Sequence, residues 1–214
     1  MLFGDGSAAA MAAAEAAKAA VRSTANFDWT FIALLALVVN GVYLTQIQKK
    51  NWNGIAAALA LYGVHWLYEI ANAVICHFSG YALWHVSPES TTYILLVGVS
   101  WELSLMFSTA GFMSGLLPED KDKKILGINN RIFMAIACAL FFSLFEIFLV
   151  ATPAFIWVYK WWGAIPVFIT TYIPFFLAAF LIYDKPRKTQ KKFLAILWGA
   201  VAVLLVVLVP LGII

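Results

Sequence analysis

The sequence predicts an all-α, polytopic membrane protein: a six-helix transmembrane bundle preceded by an Ala-rich helix, interfacial or solvent-exposed. Three observations predict it. Of 214 residues, 64% are hydrophobic and only 12% charged, about half the charge of a soluble domain. Six stretches have about the length of apolar helix needed to cross a bilayer. Their apolar runs are continuous, without the polar–apolar alternation of barrel strands. The same composition excludes a disordered chain and a disulfide scaffold. The net charge of +3 is small and spread in short clusters, so no nucleic-acid partner is expected.

Residues 1–28 form an extramembrane segment. Ser7 caps a helix over about residues 8–22, built on alanine, the best helix former. No basic leader precedes an apolar core, so a cleaved signal peptide is not expected. Residues 29–214 form the transmembrane domain. Its spans run roughly Trp29–Gln46, Ile55–Phe78, Thr92–Leu117, Ile132–Ala151, Gly163–Tyr183 and Phe193–Ile214. The odd connections carry Lys49, Lys50, Lys121, Lys123, Lys124, Arg131, Lys185, Arg187, Lys188, Lys191 and Lys192, whereas the even ones carry only Lys160. Cations favour the cytoplasmic side, so both termini are expected on the non-cytoplasmic side, of the inner membrane if the cell is bacterial. Tyr81, Trp84, Trp157, Tyr159, Trp161 and Trp162 fall in the even connections, as interfacial aromatic belts do. The basic segment Asp184–Lys192 suits anionic lipid headgroups.

Ionisable residues inside spans are costly and normally face the bundle interior with a partner. Three carboxylates qualify, Glu69, Glu102 and Glu146. Counted at about 1.5 Å per helical residue from the span edges, all three lie roughly 10–15 Å below the non-cytoplasmic interface. Convergence on one pocket is therefore expected. His65, Glu69, Asn72 and Cys76 share one stripe of the second span, and a His and Glu at i and i+4 can hydrogen-bond or share an ion. In the third span, Ser100, Ser104, Ser108, Gly111 and Gly115 make a strip suited to close helix approach. Pro166 and Pro174 flank Thr170 and Thr171 in the fifth span, where a kinked helix or a cavity wall is expected. His77 and His85 are secondary candidates, as a lid or as further ligands.

Four readings follow for His65, Glu69, Glu102 and Glu146. The leading one is an enzyme doing acid–base or metal-assisted chemistry on a lipid or isoprenoid. The same four residues form a ligand set for iron, zinc or manganese, although the Glu-x-x-His spacing of di-iron bundles is absent. A proton- or cation-coupled carrier would load and release its ion on the carboxylates; no inverted repeat accompanies it. An accessory subunit would use the cluster for packing, with a partner subunit or a second copy docking on the N-terminal helix or the sixth span. Membrane lipids are partners in every reading.

The run His65-Trp66-Leu67-Tyr68-Glu69 and the pair Trp101-Glu102 resemble the acidic helix signature of small membrane-embedded terpene cyclases. That family generally has seven spans, and the likeness is confined to these two stretches. No lysine lies mid-span to hold a retinal, and three histidines are too few for the multi-histidine pattern of membrane desaturases.

Overall fold

The computed structural model describes residues 2–152 and 154–214. Among them five helices are long and apolar enough to cross a membrane: α2 (Trp29–Gln48), α3 (Trp52–Ser79), α5 (Asn130–Ala151), α6 (Ala164–Tyr183) and α7 (Arg187–Leu208). Between α3 and α5 lies a shorter helix, α4, with an α-helical part at Trp101–Ala110 and a 3-10 part at Gly111–Leu116. The N-terminal helix α1 covers Ala8–Ala19. Short strands β1 (His85–Val86), β2 (Ile94–Leu96), β3 (Val99–Ser100), β4 (Lys124–Ile125), β5 (Ile128–Asn129) and β6 (Phe155–Ile156) pair as three antiparallel ribbons, β1–β6, β2–β3 and β4–β5.

α3 is the central post, packed by α4, α6 and α7, while α5 packs on α6 and α2 leans on α4. Asn51 starts α3 by accepting the Gly54 amide at 3.1 Å. Gly80 ends it in the left-handed region at φ 88° and donates its N–H to the Cys76 carbonyl at 2.9 Å, the cap glycine makes without a Cβ penalty. Ala56, Ala57, Ala58 and Ala60 are buried and let α4 come very close. A Cβ on Gly111 would lie 2.7 Å from the Ala57 carbonyl carbon.

The predicted third span is the main correction to the sequence reading. Its first part is not helical: residues 94–100 form the β2–β3 hairpin, and the helix starts only at Trp101. The β-branched Ile94, Val97 and Val99 suit strands, and the hairpin's backbone groups find partners outside a helix. Arg22 N–H donates to the Ile94 carbonyl, Val86 N–H to that of Val97, and Trp101 N–H to that of Tyr93. Ser100 then caps α4, accepting the Leu103 amide at 3.2 Å. The sixth predicted span also shifts, because nothing after Pro186 interrupts a helix and α7 takes up the basic residues Arg187–Lys192 in its first turns.

Each end of the bundle has its own lock. At the lysine-rich end Arg131, at the start of α5, grips Asp184, just past α6, in two bonds of 2.7 and 2.9 Å and also donates to the Pro118 carbonyl. Gln190 of α7 donates to Asn53 of α3 and to the carbonyls of Ile182 and Tyr183. At the opposite, loop-rich end α1 lies across β1 and β6. Ala14 and Ala17 are fully buried, so the Ala face is covered by the chain's own loops, where alanine's small side chain permits close contact. Here His85, in β1, accepts the Ala82 amide at Nε2, and burial pushes its imidazole from 6.5 down to about 4.

Pro174 leaves the Thr170 carbonyl, one turn earlier, without its usual donor, and the Tyr68 hydroxyl donates to it at 2.8 Å. Pro166 lies in the first turn, where a missing N–H breaks no helical bond. Just before that turn, Gly4 N–H donates to the Trp162 carbonyl at 2.9 Å. Between the prolines the helix widens into a π turn at Phe168–Tyr172.

Candidate functional site

The chain's own geometry near the loop-rich end gathers His65, Glu69 and Glu146 around one hollow between α3, α4, α5 and α6. All three are at most 4% exposed. Glu69 lies ten residues before the end of α3 and Glu146 five before the end of α5, about 15 and 8 Å along the helices. The π turn of α6 adds Thr171 and Tyr172, so the proline-flanked segment forms a cavity wall. The rest of the lining is mostly aromatic, with Trp84, Phe107, Phe142, Phe145, Phe155 and Phe175.

Each carboxyl is met by an indole. Trp84, folded back from the connection after α3, donates its N–H to both Glu69 oxygens at 3.1 and 3.2 Å. Trp157, in the connection before α6, donates to Glu146 Oε1 at 3.1 Å, and Tyr172 faces the same carboxyl. These tryptophans, read from sequence as membrane-edge anchors, are part of the site. The amphipathic ring that suits an interface also suits a buried acid, and sequence position does not tell the two uses apart.

Asn72 holds the Trp84 segment in place. Its Oδ1 accepts the Leu83 and Trp84 amides at 2.8 and 3.4 Å, and its Nδ2 donates to the Trp84 carbonyl at 2.9 Å. The turn of the β2–β3 hairpin closes behind this group. A Cβ on Gly98 would collide with the Asn72 amide and the Trp84 indole nitrogen and lie 2.6 Å from Glu69 Oε2. Only glycine fits there.

His65 stacks on Phe107 with ring centres 4.2 Å apart. Its Nε2 approaches Glu69 Oε1 at 3.3 Å, but off the direction a hydrogen bond needs. Both ring nitrogens, like the Thr171 hydroxyl, are buried without a hydrogen-bond partner among the described residues. Buried polar atoms are normally satisfied, so two unpartnered groups on one hollow mark a place for a polar guest.

The hollow measures about 30 Å³, room for about two water molecules. It reaches the side of the bundle. Phe145 is 42% exposed, and Leu103, Met106 and Leu149 are half-buried. α4 and α5 scarcely touch, while Phe107 and Phe142 meet at 5.9 Å and close the floor.

Glu102 does not join this group. Because residues 94–100 are a hairpin, Glu102 sits in the first turn of α4 rather than deep in a span. Its carboxylate accepts the Thr92 amide at 2.8 Å, the Thr92 hydroxyl at 2.7 Å and the Thr91 hydroxyl. It lines a separate groove with Asn26, Asp28 and Thr30, and its bonds tie the loop to the helix start. Cys76 and His77 also lie elsewhere, in a groove beside Lys18 and Gly80. His85 is buried in β1, outside the hollow's lining. The expected iron, zinc or manganese centre finds no ligand set: among the described residues no three His, Cys, Asp or Glu side chains come together to hold an ion.

No solved structure matches the chain. A relative from Archaeoglobus fulgidus, described as an uncharacterized protein, is 40% identical over 201 residues, which cover 92% of this chain and 94% of the relative. Residues 11–210 match the family described as an uncharacterized membrane protein family. With nearly its whole length matched, and with five apolar helices of membrane-crossing length, the chain belongs to that family of multi-pass membrane proteins.

Proposed function

We propose that the chain crosses the membrane six times, with its lysine-rich end in the cytoplasm, and that the Glu69–Glu146–His65 hollow is the acid–base site of an enzyme acting on a lipid or isoprenoid. The topology reading rests on the ends of the helices. The starts of α3, α5 and α7 and the end of α6 share the Arg131–Asp184 and Gln190–Asn53 lock, so the chain must return between α3 and α5. α4 is the element available for that crossing. Ten α-helical and six 3-10 residues extend about 27 Å, close to the ~30 Å hydrocarbon thickness. The cation excess of the odd connections points that end inward.

The observation that carries the functional reading is two buried carboxyl groups and an unpartnered imidazole on one aromatic hollow that opens sideways toward lipid. A carboxylic acid and a neighbouring base in apolar surroundings can pass a proton to and from a substrate carbon or oxygen. The aromatic faces suit positive charge developing on the substrate. The size of the hollow limits what enters to the reactive end of the molecule, while the chain behind it stays in the bilayer between α4 and α5.

The test is to incubate purified protein in vesicles with total membrane lipid and with defined polyisoprenoids, and to follow products by mass spectrometry. Conversion by the wild type, lost in folded Glu69→Gln and Glu146→Gln, is the expected result. Lipids left unchanged by the wild type, or conversion surviving in both variants, would refute it. The water-sized hollow also favours a second reading, a proton-coupled carrier. Proton uptake into vesicles that stops in Glu146→Gln, with lipids unaltered, selects that reading.

A further inference from the structure

α2 is attached to the molecule along one side only. The Trp101 indole N–H donates to the Phe31 carbonyl at 3.0 Å, and the Tyr43 hydroxyl to the Ser108 carbonyl at 2.6 Å. Phe31 and Trp101 stack at 4.0 Å. No residue of α2 is fully buried. The opposite side presents Ala33, Ala36, Leu37, Asn40, Gly41 and Leu44, all exposed. Asn40 lies in a π turn, Leu37–Tyr43, about 12 Å from Gln48 and about 16 Å from Trp29 along the helix. That is the middle of the span. An amide exposed there faces hydrocarbon, which offers it no hydrogen bond.

We propose that this side of α2 is the contact between two copies of the chain, with the two Asn40 amides hydrogen-bonded across a two-fold axis. The chemistry favours a second copy over another partner. A carboxamide carries both donors and an acceptor, so it satisfies itself where identical groups meet on a two-fold. The strip has no charge to repel its own image. Ala33, Ala36 and Gly41 are small, as close helix contacts in lipid require. A Cβ at Gly41 would meet only Leu37 of its own helix, at 3.4 Å, so the space beside it is open to a neighbour.

Oxidative cross-linking in native membranes tests the contact, with the buried Cys76 and Cys138 left in place. Ala36→Cys should give a disulfide-linked species of twice the 23.7 kDa chain mass. Ile196→Cys, on the outer face of α7 and 63% exposed, should give none. In vesicles, energy transfer between labelled full-length chains should show a dimer whose dissociation constant rises about tenfold in Asn40→Leu and stays within about threefold in Asn40→Gln. The proposal is overturned if the wild type is monomeric at every lipid dilution, if Ala36→Cys and Ile196→Cys cross-link alike, or if the cross-linked species contains a different protein. None of these results depends on what the hollow does.

Discussion

Removing the indole N–H that meets Glu69 is the sharpest probe of the site. In Trp84→Phe both contacts, at 3.1 and 3.2 Å, disappear, and a carboxyl only 4% exposed loses its donor. The ring also shrinks where it stacks on Trp162 at 5.7 Å, so the single variant mixes two losses. A double-mutant cycle with Glu69→Leu separates them. An unmatched buried polar group costs about 1–3 kcal/mol, whereas removing both partners leaves none unmatched. The double variant should therefore be about 2 kcal/mol more stable than the sum of the single losses predicts. For a protein of this size that is a Tm difference of about 4–8 °C, readable by thermal unfolding in detergent at pH 7.5. Additivity within about 0.5 kcal/mol would mean the indole and carboxyl do not interact, and the reasoning would fail.

Two further outcomes are expected. His85 is neutral when folded and takes a proton on unfolding, because its folded value of about 4 lies below the ordinary 6.5. Its contribution is complete above about pH 6.5 and lost as pH falls toward 4, about 2–3 kcal/mol at pH 4.5; His85→Gln should flatten the Tm–pH profile across that window, and parallel profiles would refute the assignment. At the lysine-rich end, Asp184→Ala strands the buried Arg131 guanidinium and should cost about 3 kcal/mol, while Arg131→Leu with Asp184→Leu should recover at least half; thermal unfolding decides, and no recovery would rule out an ion-pair origin.

The long apolar helices were legible because lipid allows little else. Continuous runs ending at Gln48, Ser79, Ala151 and Tyr183 stop within about two residues of where composition stops them. The hairpin was not, since a short run such as Ile94–Val99 reads equally as strand or helix from periodicity. Glu102 was misplaced by that one ambiguity: counted as ten helical residues deep, it stands at the helix start instead. Glu69, His65 and Glu146 stood out as intramembrane ionisable groups, and their shared hollow is a property of packing. Trp84 and Trp157 come from connections that fold back into the bundle, and no local pattern announces such a return. Tyr172 was masked by an aromatic-rich helix, with only the flanking prolines to signal that its wall is irregular.

The Gly4–Trp162 hydrogen bond sets an order of assembly. The Trp162 carbonyl, just before α6, receives its donor from a segment synthesised some 160 residues earlier. That segment cannot close the joint until most of the helices are in place, so a contact of this sequence separation belongs to the end of folding. Trimming the arm through Gly4 would then leave α6 inserted but its first turn ajar, beside Thr171 and Tyr172. The contacts of Leu2 and Gly4 with the start of α6 thereby bear on how firmly the wall behind the acids is shut.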